Sequence, residues 1–460
     1  MKKKVCMFVW NHFTNDARVL RECTALSHNG FEVDLIAIHD RKDPTLPRYE
    51  KHDAGFSIIR VKNFFPGIQR LLGLVKHYKR NGMISIPITA IGIYFLCLGI
   101  RFLPLWMSLT LLALLVVMAL LFLTKLPKYT VRLFIFLQMV RWGMKKRYDI
   151  YHANDLNTLP QGWLCAKILR LRKKPLIYDS HEVQTSRTGY DSPLYGLLEW
   201  FYLKFTDTMI MENHTRAKYV EERYGFYPKV VHNYPVTRYP EQDTSILLAK
   251  QLHLSNDEPI LLYQGGIQTG RGLEQLLEAF PNFKRGHLVF IGDGRIKDML
   301  IKKVEDMGLT DRIHFLPKVP VEDLLLYTKN AYLGFQVLNN VCFNHYSASS
   351  NKLFEYMMSG VPVVACSFPE IKKVVDEENI GVCVNSHDPL SIAEGVNRLL
   401  EDKECYQRMR QNCFKARDKY NWEHEQVHFL AIYEELIDVN SKKSIISSKE
   451  VRNKSFLSQK

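Results

Sequence analysis

Among the nine cysteines of this chain there is no Cys-x-x-Cys pair, and their number is odd. That excludes a zinc ribbon and gives no disulfide framework, so the thiols read as reduced and cytosolic. No basic stripe interleaved with aromatics occurs, which argues against nucleic-acid binding. The start, "MKKKVCMFVWNHFTNDARV", lacks the long apolar run of a secretory signal. Asn11, His12, Asn15 and Asp16 interrupt it, and it reads as a first β-strand. Disorder-type composition is confined to a polar tail, residues 439–460.

What is present is a 460-residue globular chain, 47% hydrophobic and 24% charged, enough for two domains. Lys and Arg outnumber Asp and Glu by 62 to 48, a formal charge of +14. Such an excess suits nucleic acid or a membrane surface. Its clusters lie at "KHYKR" (76–80), at Lys125, Lys128 and Arg132, at "KKR" (145–147) and within "RLRKK" (170–174). The first two flank an apolar insert over 83–124, which favours the membrane.

From Met83 to Ile100 no charge occurs, and after Arg101 none occurs from Phe102 to Thr124. The second run exceeds the roughly 20 apolar residues that span a bilayer. If the strands on either side belong to one parallel sheet, they lie on one side of the membrane and a single crossing is excluded. The expectation is a membrane-inserting hairpin or re-entrant dip, both ends at the cytoplasmic face of the cell membrane. A buried core hairpin is the soluble alternative.

Outside the insert, strands alternate with helices. "VCMFVW" (5–10), "FEVDLIAI" (31–38), "FSIIRV" (56–61), "YDIYHA" (148–153), "PLIYDS" (175–180), "TMIMEN" (208–213) and "KVVHN" (229–233) read as one parallel α/β domain, residues 1–237. Asn15 is the expected N-cap of its first helix. A second domain, 246–438, has strands "ILLYQGG" (260–266), "HLVFIGDG" (287–294), "IHFL" (313–316), "AYLGFQV" (331–337), "VPVVA" (361–365) and "GVCV" (381–384), with three helices after them. The fold class is α/β, two doubly wound Rossmann-like domains facing a cleft.

Ligands of such sheets bind beyond the carboxyl ends of strands. There, "QGGIQTGRG" (264–272) offers Gly265, Gly266 and a fixed cation, Arg271. Its glycines let backbone N–H groups approach a phosphate, though a tight turn reads the same way. "GDGR" supplies Gly292, Asp293 and Gly294, suited to a planar base or a phosphate. "SSNKLFEY" puts Lys352 and Glu355 three apart on one helical face, with Leu353 between them. This is a surface ion pair, or a carboxylate for the two vicinal hydroxyls of a ribose. In the first domain, His181 and Glu182 follow a strand and face the cleft. Asn15, Asp16, Asn154 and Asp155 line the same edge, as acceptor-side groups or as helix caps.

"YDSHE", "GGIQTGRGLEQLLEAF", "VFIGDG" and "NKLFEYMMSGVPVVA", in that order, make the chain similar to the GT-B glycosyltransferases, family 4. The resemblance covers residues 1–65 and 148–438. It implies a nucleotide-sugar donor held by the second domain, an acceptor on the first, and no obligatory metal or other cofactor. It further implies that Arg271 neutralises the diphosphate, that 292–294 lie near the base, that Glu355 holds the ribose, and that His181 sits at the reacting sugar. Two positions depart: the family's first glutamate, eight residues before Glu355, is Ser347, and its arginine after Gly265 is Gly266. The expected reaction is retaining transfer of a sugar to a hydroxyl. No hydrolase-type carboxylate pair is evident, consistent with front-face attack. The insert points to a lipid-linked acceptor in surface polysaccharide or glycolipid assembly. A nucleotide-sugar epimerase of the same fold and a non-catalytic membrane scaffold are the alternatives.

Overall fold

The computed structural model describes residues 2–438 apart from 15, 41–42, 44, 64–103, 105–125, 188–191, 238–247 and 256. The insert 83–124 therefore lies, but for Pro104, outside the described residues. Among the described residues no helix is long and apolar enough to cross a membrane, so the expected hairpin gains no support from them. Contacts divide the chain into two units, Met1–Thr14 with Ser27–Leu176, and Asn15–Leu26 with Ile177–Lys460.

In the first unit the strands are β1 (Lys4–Phe8), β2 (Glu32–Ile38), β3 (Tyr49–Lys51), β4 (Ser57–Val61) and β5 (Ile150–Asn154), in the order β3-β4-β2-β1-β5. All pairs are parallel except β3 with β4. The sequence reading missed β3, which lies mostly exposed at the edge and has no apolar run. It also missed the helix Leu126–Gly143 that follows the insert.

The second unit carries the first helix, Ala17–His28 up to Leu26, and the parallel strands β6 (Leu176–Ser180), β7 (Thr208–Met211) and β8 (Lys229–Val230). Asp16, not Asn15, is seen capping that helix: its Oδ1 accepts from the Val19 N–H at 3.2 Å, and Asn15 lies outside the described residues.

The unit's larger sheet is wholly parallel. Its strands are β9 (Ile260–Gln264), β10 (His287–Ile291), β11 (Ile313–Leu316), β12 (Leu333–Gln336), β13 (Val363–Cys366) and β14 (Gly381–Val384). The spatial order is β11-β10-β9-β12-β13-β14, the doubly wound 3-2-1-4-5-6 arrangement. β9 explains why both faces are covered. Leu261 and Tyr263 enter one core with the helix Leu273–Ala279, while Ile260 and Leu262 enter the other with the helix Asn351–Met358. A strand apolar on both faces, with period-2 alternation between two cores, needs helices on both sides. Chain order reverses between β9 and β12, so the crevice for a ligand opens at their carboxyl ends.

Candidate active site

The loop leaving β9 is shaped by glycine where side chains cannot fit. Gly272 has φ +70°, and a Cβ there would lie 1.8 Å from the Val337 carbonyl oxygen. This brings the start of the helix Leu273–Ala279 against the chain leaving β12, at the reversal point. Across the loop after β10, a Cβ on Gly292 would meet the Gly265 oxygen at 2.0 Å, and one on Gly294 the Ile267 oxygen at 1.9 Å. The two loops are thus joined backbone to backbone: Gly265 N–H donates to Ile291 O and Ile267 N–H to Asp293 O, both at 2.9 Å. The Asp293 carboxylate accepts from the Gly294 N–H at 2.8 Å and so shapes its own turn. The Tyr263 hydroxyl donates to the Gly266 carbonyl at 2.8 Å.

On the other side of the loop stands the helix Asn351–Met358. Its apolar residues Leu353, Phe354, Tyr356 and Met357 are buried in the core. Leu353 is therefore a core residue. Packing those residues turns Lys352 and Glu355 toward β9. Lys352 runs beside Gly265, where a Cβ would sit 3.4 Å from its Cδ, and its amine lies 5.2 Å from the centre of the Tyr263 ring. Glu355 accepts from the Gln264 amide at 2.7 Å, and the Thr328 hydroxyl donates to the other end of that amide, also at 2.7 Å.

Electrostatics couple these groups. Burial, then the charge of Arg271, lowers the Lys352 pKa to about 7, with Glu355 opposing. Burial raises that of Glu355, against the Gln264 hydrogen bond and the charges of Lys352 and Arg21. Arg21 projects from the helix Ala17–His28, and burial and neighbouring Arg18 lower its pKa to about 10. Glu355 is thus charge-coupled to Lys352 and Arg21, and Lys352 to Arg271, beside a glycine-lined turn. An anion entering there replaces hydration with fixed charges and N–H groups.

His181 and Glu182 follow β6. His181 is 22% exposed, with Nε2 3.8 Å from Asp179 Oδ2. Arg18 grips both oxygens of the buried Asp179 at 2.9–3.0 Å. Glu182 is 43% exposed and pairs with Arg187 at 3.3 Å. The next residue, Val183, exchanges two backbone hydrogen bonds with the Asn344 amide, at 2.8 and 3.0 Å. Arg216 donates to His181 O (2.6 Å), Asn344 O (3.1 Å) and Ser347 Oγ (3.2 Å). The His181 segment is in this way riveted to residues 344–347.

Ser347 is fully buried inside that rivet. Its hydroxyl donates to Phe343 O at 2.7 Å and accepts from Arg216, while its carbonyl takes the Asn213 amide at 2.8 Å. The position where similar enzymes carry their first glutamate is thus tied to Phe343, Arg216 and Asn213. Asp16 caps its helix, as described. In the first unit, the buried Asn154 donates to Phe8 O at 3.0 Å, and Asp155 occupies a left-handed turn with φ +62°.

Five residues went unnoticed in the sequence. Gln264 had a signal, a polar residue closing the apolar strand "ILLYQ". Arg21 and Asn344 had none, because their partners are over a hundred residues away, and Arg216 had none for its bonds to Asn344 and Ser347, 128 and 131 residues on. The fifth is His345, whose Nδ1 lies 3.2 Å from Asn339 O, while Asn339 N–H donates to Gly270 O at 2.9 Å. Burial, then Arg271, lowers its pKa. It holds the glycine turn from the β12 side.

Residues 246–416 match the sequence model of the glycosyl transferases group 1. A D-inositol 3-phosphate glycosyltransferase of Nocardia farcinica is 25% identical over 309 residues, 62% of this chain and 66% of that protein. Among solved structures, sucrose-phosphate synthase of Thermosynechococcus elongatus superposes with TM-score 0.69 at 16% identity, covering 95% of this chain and all of that one. An Anabaena protein solved with UDP and glucose gives TM-score 0.66 at 15% identity, covering 94% and 100%. The fold is the two-domain α/β GT-B fold with Rossmann-like sheets, and residues 246–416 form a domain of the glycosyl transferases group 1.

Proposed function

We propose that the protein transfers a sugar from a nucleoside diphosphate sugar to a hydroxyl acceptor with retention of anomeric configuration. The observation that carries this is Glu355, fixed by Gln264 next to Lys352 at the glycine turn of a sheet reversal. A ribose donates its two hydroxyls to the Glu355 carboxylate. The diphosphate meets Arg271, Lys352 and the N–H groups of the turn. The Anabaena neighbour's ligands, UDP and glucose, fit the same donor class.

In the reaction the anomeric carbon–phosphate oxygen bond breaks and a bond to the acceptor oxygen forms on the same face. The acceptor proton passes to the departing phosphate. Negative charge grows on the leaving diphosphate, and fixed cations stabilise it more than they stabilise the bound donor. Lys352, with its pKa near neutrality, gains its proton as that charge arrives. His181, on the riveted loop, orients the sugar. In this reading the fixed cations take the part that a metal plays elsewhere, and none is obligatory.

The acceptor in this proposal is lipid-linked, at the cytoplasmic face of a membrane, in the assembly of a surface polysaccharide or glycolipid. Support comes from the 23 charge-free residues 102–124 and the basic residues on either side. The test is a screen of the detergent-purified protein against several sugar nucleotides, with and without membrane extract, read by released nucleoside diphosphate. Release stimulated by the extract is expected. No release with any donor would overturn the reading.

A further inference from the structure

The helix Pro193–Leu203 is built inside out. Its buried residues are Gly196 and Glu199, and Glu199 accepts from the Tyr178 and Tyr224 hydroxyls, each at 2.7 Å. Gly196 is there because a Cβ would meet Arg223 at 2.8 Å and Thr185 at 3.1 Å. The apolar side faces outward: Leu194, Leu197, Leu198, Trp200, Phe201 and, just beyond, Phe205 are 37–59% exposed. A helix normally buries its apolar stripe and solvates its acids. Six large apolar groups on one short segment form a patch of the kind that marks an interaction site rather than scattered surface residues.

Charge decides what covers it. From 192 to 206 the sequence has two charges, the buried Glu199 and the exposed Lys204. The Lys204 amine lies 3.3 Å from the centre of the Trp200 ring, leaving its charge at the edge of the patch. Exposed Trp and Phe rings with a lysine beside them suit the boundary between acyl chains and headgroups, where the ring is apolar and the amine meets phosphate. A second copy of the chain would bring a second net charge of +14 and another Lys204, whereas an anionic bilayer is drawn to a basic protein. We propose that the outward face of Pro193–Leu203, continued to Phe205, docks on an anionic lipid surface. This deepens the membrane placement proposed above, yet it concerns a different segment from 83–124 and needs no particular sugar chemistry.

The test uses the full-length protein with phosphatidylcholine vesicles containing or lacking phosphatidylglycerol, each with brominated acyl chains. Trp200 fluorescence is isolated as the difference between wild type and Trp200→Phe. Quenching of that difference signal is expected with phosphatidylglycerol present. It should be lost in Leu197→Asp/Phe201→Asp, whose circular dichroism and soluble-donor turnover stay unchanged. If the other tryptophans are quenched but Trp200 is not, the protein sits on the membrane by another segment and this docking face is refuted. A concentration-dependent dimer, abolished by the same double substitution with no lipid quenching, would also overturn it.

Discussion

Gln264 Nε2 donates to Glu355 Oε2 at 2.7 Å, while Thr328 donates to the Gln264 carbonyl oxygen at 2.7 Å. The chain Thr328–Gln264–Glu355 fixes which carboxylate oxygen stays open to a ligand. Gln264→Leu keeps the volume and removes both bonds. Leaving buried polar partners unmet costs about 1–3 kcal/mol. Donor KM should rise about ten-fold with kcat changed less, measured by initial rates against donor concentration. An unchanged KM would remove Gln264 from the site.

The cations act on charge that develops as the bond breaks. Arg271→Ala should lower kcat about 10²-fold or more, the scale of losing one stabilising donor. Lys352→Ala should lower kcat and raise donor KM. Single-turnover rates with saturating donor separate the two effects. Chelation by EDTA should leave the rate of untreated enzyme intact, since no metal is obligatory in this account.

Lys352 and Glu355 set a pH window for donor affinity. The Lys352 pKa in the free protein is about 7, and an arriving diphosphate raises it. Binding therefore takes up a proton above that pH, and affinity should fall as pH rises beyond about 7. On the acid side, Glu355 must be ionised to accept two hydroxyls, and its pKa is raised by burial. Affinity should fall there too, beginning above the usual carboxylate range. A plot of kcat/KM for the donor should be bell-shaped, reporting groups of the free enzyme. Lys352→Arg should move the alkaline limb upward.

Ser347 separates a donor contact from a rivet. Ser347→Glu, which installs the residue usual in similar enzymes, would push a carboxylate into a fully buried site packed against Arg216. Overpacking and desolvation cost about 1–3 kcal/mol or more there. The expected result is a lower Tm and no gain in rate. Ser347→Ala should cost about 1 kcal/mol of stability and leave donor KM unchanged.

Gly294 has no room for a side chain, since a Cβ would lie 1.9 Å from the Ile267 oxygen. Gly294→Ala must part the two loops at the sheet reversal. Donor affinity should drop about ten-fold or more, read by titration with a nucleoside diphosphate. Gly308→Ala, an αL glycine with nothing within 4 Å, is the control for strain alone.

The second sheet was legible because its strands are short apolar runs closed by glycine. "ILLYQGG" and "HLVFIGDG" state both the strand and the loop beyond it. Lys352 and Glu355 were legible from their helical spacing. The partners that orient them were not. Gln264 and Glu355 are 91 residues apart, and Arg216 reaches Ser347 across 131. Such pairs follow from sheet order and loop packing, which local periodicity does not encode. The burial of Leu353 and Ser347 was hidden for the same reason: helical phase turns one into the core, and Arg216 takes up the other. Helix Leu126–Gly143 escaped notice because it starts directly after the apolar insert.

The central claim is that the Glu355 carboxylate holds the ribose of a nucleotide-sugar donor. It is tested most directly by calorimetric titration of wild type, Glu355→Gln and Glu355→Ala with the nucleoside diphosphate that the donor screen identifies, alongside its 2′,3′-dideoxy analogue. The account predicts that both substitutions weaken the ribonucleotide about ten-fold or more and leave the dideoxy analogue, already weak, unaffected. Equal affinity of all three proteins for the ribonucleotide would contradict it.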